Sequence, residues 1–289
     1  MFRIPLSSPK SLYIPLNYYL LVIKMRNIRC YRIEGEGIKS TDGNSDKSLE
    51  EALNKPYEWL RKKFKGNEEV LDNLQGYRII FKDLGPFGGR VDYKKKIIWM
   101  HEPSRTRASA ATNASSPSSI EDRMSHELTH VLRGRTPYKT REEVAIEEGA
   151  ATFVQMLYAI ERGGEVAENF LSYLTKLKPY SRNSWNGFHY ETFEKEFNNP
   201  EQRELSPYLK QVIAHLYCGG LCIYLELANK YGVDRVLSDV PCLVTPEDFE
   251  EKYGKPYYPN MPNCLFEAEE FSKYLHILQE RAKFNSDTL

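Results

Sequence analysis

The sequence lacks an excess of charge of either sign. Its 289 residues carry 40 Lys and Arg against 40 Asp and Glu, so the formal net charge is zero. Such a chain has no general electrostatic attraction to phosphate backbones or acidic membranes. We therefore expect no membrane partner, and no nucleic-acid partner unless basic residues gather in a local patch.

Cysteines are few and odd in number, since the chain has 5. An odd set spread over a chain of this length does not form the disulfide framework of small secreted domains. The thiols are predicted to be reduced, which favours a cytoplasmic location. Cys218 and Cys222 stand one helical turn apart without a second pair, and are predicted to be buried hydrophobic residues rather than metal ligands.

Long hydrophobic runs are also missing. The apolar run at residues 20–23 is far shorter than the roughly 18 residues that span a bilayer, so no transmembrane helix is predicted. No small-x-small cleavage site follows it, which argues against a signal peptide. Residues 1–24, before the internal Met25, are expected to be an extension outside the fold; the alternative is a short N-terminal strand.

The chain has enough apolar residues, 41%, to build a sizeable core. Residues 46–65 predict an amphipathic helix broken near Pro56, and residues 77–100 predict short strands joined by Gly and Pro turns. The Ser, Ala and Thr-rich residues 103–119 predict a linker. Apolar periodicity then predicts helices over residues 119–133, 141–162, 164–176, 206–231, 246–253 and 264–284.

These elements predict an α+β fold, with a small N-terminal sheet of short strands and a largely helical C-terminal half. Three parts are expected. Residues 1–45 form a partly disordered N-terminal extension, residues 46–118 a helix with the small sheet, and residues 119–289 a helical subdomain.

A motif typical of metal sites lies on the first predicted helix of residues 119–289. His126, Glu127 and His130 form the pattern HExxH. Residues four apart leave the same helix face about 5 to 6 Å apart, so both imidazoles can share one tetrahedral Zn²⁺. The sequence therefore predicts one zinc ion per chain, with the sheet bordering this helix.

A catalytic zinc needs a third protein ligand and an open position. Glu147 and Glu148 follow on the next helix, where acids amid apolar residues are unusual unless paired or metal-bound. We predict Glu148 as the ligand, with Glu147 as the fallback; the alternative is a solvated Glu pair near a helix N-terminus. The small residues from Gly149 onward are expected to let this helix press against the His helix.

HExxH followed by a Glu-Gly-x-Ala helix resembles the gluzincin metallopeptidases, the group that contains thermolysin and the zinc aminopeptidases. The likeness covers about residues 88–232. It implies Glu148 as the third ligand, the strand ending at residues 97–103 as the border of the cleft, and a helix that turns Tyr217 to the metal. Thr152 stands where thermolysin has an Asp that orients a His, which implies different residues around the ligands.

The resemblance and the motif together predict a zinc metallopeptidase that cleaves peptide or protein substrates. Zinc would activate a water, Glu127 would take its proton, and Tyr217 or His215 would stabilise the oxyanion. The linker at residues 103–119 is expected to lie near the cleft, as a lid or a site of self-cleavage.

Two other functions remain open. One is an inactive protein that keeps the zinc fold as a binding or regulatory module, against which Glu127 argues because zinc affinity does not need it. The other is a peptidase recruited to DNA, against which the neutral net charge argues.

Overall fold

The chain folds as an α+β protein, as predicted, in a computed structural model. It describes residues 29–41, 46–84, 88–101, 117–134, 140–177, 206–254 and 269–283, with residues 192 and 195. The expectation for residues 1–24 lies outside the described residues, as does most of the predicted linker. Residues 117–119, which that linker included, instead begin a helix.

Five short strands form one mixed sheet. They are β1 (Cys30–Glu34), β2 (Gly37–Ser40), β3 (Arg78–Lys82), β4 (Gly89–Asp92) and β5 (Ile97–His101). The strand order is β2-β1-β3-β5-β4. The β3–β5 pair is parallel and the other pairs are antiparallel. Residues 30–40, assigned from the sequence to an extension, therefore belong to the sheet as a tight hairpin that turns at Gly35 with a φ of 54°.

Helices make up most of the rest. They are α1 (Lys47–Lys63), α2 (Glu68–Asp72), α3 (Pro117–Arg133), α4 (Arg141–Arg162), α5 (Gly164–Leu177), α6 (Pro207–Ile213), α7 (Gly220–Tyr231), α8 (Val233–Asp239), α9 (Pro246–Tyr253) and α10 (Glu269–Lys283). A π-helical segment, Ala214–Gly219, joins α6 to α7. The predicted bounds of α4 and α9 are confirmed, because a capping box fixes each N-terminus, at Thr140 and Thr245.

The helix α1 differs from its prediction because it runs without a break through Pro56. Proline removes one backbone hydrogen bond from a helix interior. Leu53, Tyr57 and Leu60 on the same helix are fully buried. Burial of this apolar face outweighs the lost hydrogen bond, so the helix continues.

One hydrophobic core connects the sheet to the helices. The inward face of the sheet, such as Ile79 and Met100, and the helices α1, α3, α4 and α7 contribute to the same buried cluster. The helix α3 lies in the middle of it, and its residues 119–133 are almost all buried. The boundary predicted at residues 118–119 therefore does not separate two cores.

The continuous helical segment Pro207–Tyr231 is long and apolar enough to cross a membrane by length and composition, although no transmembrane helix was predicted. However, 83% of its most apolar window is buried inside the protein. A core helix that packs on all sides passes the same test. Within it Cys218 and Cys222 are buried, and burial raises the pKa of both thiols.

Candidate metal centre

Three predicted ligands converge on one point between α3 and α4. The Nε2 atoms of His126 and His130 are 3.1 Å apart. The Glu148 Oε2 atom lies 3.3 Å from the first and 3.5 Å from the second. Atoms bound to a tetrahedral Zn²⁺ at their usual bond lengths lie about 3.3 Å from one another. The triangle therefore has the dimensions that a single small cation needs.

The imidazoles are oriented from behind by two residues of α4. The Nδ1–H of His126 donates to Gln155 Oε1 at 3.1 Å, and that of His130 donates to Glu147 Oε1 at 2.9 Å. These bonds keep a proton on each Nδ1, so Nε2 is the atom of each imidazole that is left to bind a cation. The arrangement leaves both Nε2 atoms directed at the shared point.

Glu147, the fallback ligand, faces away from that point. Its other carboxylate oxygen accepts from Arg133 Nε at 2.7 Å, and both side chains are fully buried. Arg133 also donates to the carbonyl oxygens of Val240 and Leu243. Burial raises the pKa of Glu147, but Arg133 and His130 outweigh the effect of burial, so this pKa is lowered. Glu147 therefore acts as a charged support for His130.

Gln155 is held in turn by Asp122, one turn before the first histidine. The Gln155 Nε2 atom donates to Asp122 Oδ2 at 3.0 Å. Among the described residues the other carboxyl oxygen, Oδ1, has no hydrogen-bond partner. Burial raises the pKa of Asp122 to about 7. His126 is thus oriented by a neutral amide, whereas His130 is oriented by a carboxylate.

The ligand triangle is strongly coupled electrostatically. Burial lowers the pKa of His130, but Glu148 and Glu147 outweigh it, so that pKa lies well above its usual value. Burial raises the pKa of Glu148, but His130 and His126 outweigh it, so that pKa is lowered. A bound cation would take the place of the proton that these groups share.

Glu127 lies beside the triangle and against the sheet. It is 7% exposed, and burial raises its pKa. A Cβ added at Gly89 of β4 would come within 2.6 Å of its Cδ atom. Only glycine leaves room for the Glu127 carboxyl group at this point of the strand. A buried carboxylate with a raised pKa is suited to accept a proton at neutral pH.

The edge strand beside the HExxH helix is β4, whereas the resemblance implied the strand ending at residues 97–103 for the border of a cleft. That strand, β5, is paired on both sides, with β3 and β4. The last strand in the sheet order is β4, and it contacts α3. In this part of the chain its outer edge has no partner strand.

Tyr217 is brought to the triangle and His215 is not. The Tyr217 ring stacks on the His126 ring, with 5.4 Å between centroids and 4° between planes. Burial, then the negative charge of Glu148, raises the pKa of the Tyr217 hydroxyl group. It therefore stays protonated and can donate. His215 is buried in the same π-helical segment and is no member of the ligand group.

Two further tyrosines lie near the triangle, and no motif or spacing in the sequence predicted their positions. Tyr93, in the turn after β4, donates to the backbone carbonyl of His130 at 3.4 Å. Tyr173 of α5 packs its ring edge on Tyr217, with 6.2 Å between centroids. By contrast Gln155 was detectable, because it shares a helix face with Glu148 two turns away.

The helix with Glu148 packs against the His helix, as expected, but Gly149 itself faces a different helix. A Cβ added at Gly149 would lie 2.5 Å from the Cα of Gly220, and one added at Gly220 would lie 2.6 Å from the Cα of Gly149. The two glycines therefore lie where α4 crosses α7 most closely. This contact determines how closely α4 packs on α7 at the position next to Glu148.

Comparison with known proteins adds no relative. No family model matches the sequence, and a match was found neither among curated proteins nor among solved structures.

Proposed function

We propose that the protein is a zinc-dependent metallopeptidase of gluzincin type. One observation carries the proposal: the His126, His130 and Glu148 ligand atoms form a triangle of tetrahedral size, and the Glu127 carboxylate lies beside it. Nitrogen and oxygen ligands in this number leave one position free, as catalytic zinc sites do. The resemblance of HExxH and the Glu-Gly-x-Ala helix to the gluzincins supports the same assignment.

Each residue has a role that follows from its position. A zinc ion in this site, when bound, supplies Lewis-acid activation of a water and of a carbonyl oxygen. Glu127 accepts the proton of the attacking water, since it is close to the ligands without being one of them. Tyr217 keeps its hydroxyl proton and can donate it to a developing oxyanion. Glu147 and Gln155 hold the imidazoles.

The free edge of β4 supports a peptide as the substrate. An unpaired strand offers a row of backbone N–H and C=O groups, and an extended peptide binds such an edge as an added strand. The edge strand contains Gly89, next to which the carboxyl group of Glu127 lies. A peptide on this edge would pass the general base at a scissile bond.

The decisive experiment replaces Glu127 by Gln. The variant is expected to keep its zinc content and melting temperature, because Glu127 is no ligand, and to lose about 10² to 10⁴-fold in turnover. Cleavage of casein, an unstructured polypeptide, is followed by mass, with zinc content measured by elemental analysis. His126→Ala is the matched control and should lose most of the metal.

The outcomes separate the peptidase from an inactive module. Equal cleavage by the wild type and Glu127→Gln would remove Glu127 from the mechanism. Wild type that holds zinc but cleaves no unstructured polypeptide over a range of pH would favour the binding or regulatory module. Wild type without zinc after gentle purification would contradict both.

A further inference from the structure

The sheet turns one face away from the core, and that face is basic. Side chains alternate along each strand, so that in β3 Ile79 and Phe81 point to the core while Arg78 and Lys82 are exposed. Applying the same alternation through the observed register places two acids, Glu34 and Asp92, and five exposed cations on this face, Arg32, Lys39, Arg78, Lys82 and Arg90. We call it the basic face.

Register brings like charges directly opposite one another on the basic face. Arg32 of β1 faces Lys39 on one side and Arg78 on the other. Directly opposed like charges destabilise a sheet. Arg32 has one ion pair, with the exposed Glu34 at 3.3 Å. Anions that lie over the face would relieve this repulsion.

The other cations are not neutralised either. Within the described part of the chain no carboxylate lies within ion-pair distance of Lys39, Arg78 or Arg90. Burial lowers the pKa of Lys82, and repulsion from Arg90 and Lys95 lowers it further. The chain is neutral as a whole, but its fold gathers positive charge here.

An aromatic ring lies in the middle of the basic face. Trp99 of β5 is half-buried, with Ile80 opposite it on one side and Arg90 on the other. Lys82 Nζ lies 3.9 Å from the ring centroid. The basic face therefore has an aromatic ring among its cations.

We propose that the basic face binds single-stranded nucleic acid. Protein surfaces that combine cations with an aromatic ring bind the phosphates through Lys and Arg and stack bases on the aromatic side chains. Strands lie about 4.8 Å apart, so the cations from β2 to β4 span about 19 Å. A duplex keeps its bases enclosed and would leave Trp99 unused, and an acidic peptide would use the cations but has no base to stack. The proposal does not depend on the metal centre, because the Glu127 side chain beside that centre lies against the opposite, core-facing side of β4.

Binding of a fluorescent twelve-nucleotide thymidine strand to the full chain, followed by anisotropy, tests this. Arg78→Gln combined with Arg90→Gln is expected to weaken binding about tenfold or more, and to lower the slope of log affinity against log salt by about 1.4, since each phosphate contact contributes about 0.7. Trp99→Leu should weaken binding about fivefold or more through lost stacking. Lys62→Gln combined with Lys273→Gln, exposed cations on α1 and α10, makes the same change in net charge and should leave affinity nearly unchanged.

The proposal is overturned by any of three results, with melting temperatures showing that every variant is folded. The first is that the strand does not bind even at about 50 mM salt. The second is that the Arg78/Arg90 variant and the lysine control lose affinity equally. The third is that a matched duplex or polyglutamate displaces the labelled strand as effectively as unlabelled strand does. The last result would assign the face to a duplex or to an acidic peptide.

Discussion

Two consecutive acids, Glu147 and Glu148, have different roles because neighbours on a helix point about 100° apart. Glu148 points to the shared centre of the ligand triangle and Glu147 to the far side of His130. Glu147 also balances the charge of the buried Arg133. Replacing each by Gln should therefore give different results.

We expect Glu148→Gln to lose most of the bound zinc, because a neutral amide replaces the carboxylate ligand. Glu147→Gln should keep the ligand set but lose about 3 to 5 kcal/mol of unfolding free energy, because Arg133 is left buried without its counter-charge. Its zinc affinity should fall about 10 to 100-fold, since His130 loses its support. Zinc titration and denaturant unfolding measure the two effects.

The opposite pattern, with zinc lost in Glu147→Gln and retained in Glu148→Gln, would make Glu147 the ligand. Glu143→Gln, on the first turn of the same helix, is a control for the change of charge on α4. It should leave zinc affinity unchanged and affect stability only through the weakened cap.

Asp122 predicts a pH dependence of stability. Burial raises its pKa to about 7 in the folded chain, whereas an Asp in an unfolded chain titrates near about 3.9. Between these two pH values the folded state binds more protons than the unfolded state does. The stabilisation that Asp122 contributes to folding is therefore fully present at low pH and is lost as the pH rises. Asp122→Asn cannot lose a proton, and its amide oxygen can still accept from Gln155.

The melting temperature of metal-free Asp122→Asn relative to the wild type should therefore rise between about pH 5 and about pH 8. Thermal unfolding with a chelator present measures it. A difference that is constant over this range would show that Asp122 is already ionised in the folded protein at low pH.

At the scale of elements, the crossing of α4 and α7 decides how the ligand helix is placed. Gly149→Ala puts a methyl group within 2.5 Å of the Gly220 backbone, where no side chain can move aside. We expect a loss of about 1 to 3 kcal/mol or more in unfolding free energy, and weaker zinc binding because the displaced helix carries Glu148. Urea unfolding and zinc titration report both.

A matched control is Gly37→Ala, whose added methyl group would meet only the side-chain oxygen of Asn54 at 3.2 Å. It should cost less stability and leave zinc affinity unchanged. Equal zinc affinity in Gly149→Ala and the wild type would mean that the crossing does not position Glu148.

At the scale of the whole molecule, the single core is what connects the sheet to the metal centre. The helix α3 packs on α1, α4 and β4 at once. The same helix therefore carries both histidines and stands against the edge strand. The sheet in turn has two faces of different character, one in the core and one exposed and basic. The zero net charge of the whole chain gives no indication that one face of the sheet is basic.

The sequence alone determined the features that depend on local spacing. HExxH specified two imidazoles on one helix face, and capping residues with apolar periodicity located α4 and α9, because helix formation depends on contacts within about four residues. Residues 30–40 gave no comparable signal, since four or five residues form a strand only when neighbours pair with them.

Only the tertiary structure decided which side chains from distant segments meet. It distinguished Glu148 from Glu147, brought Gln155 behind His126, placed β4 rather than β5 at the edge, and aligned Arg32 with Lys39 and Arg78. These results depend on how helices cross and on strand register. A shift of one residue would turn every side chain of a strand to the opposite face. No pattern within a single segment contains that information, because it is set by the packing of one segment on another.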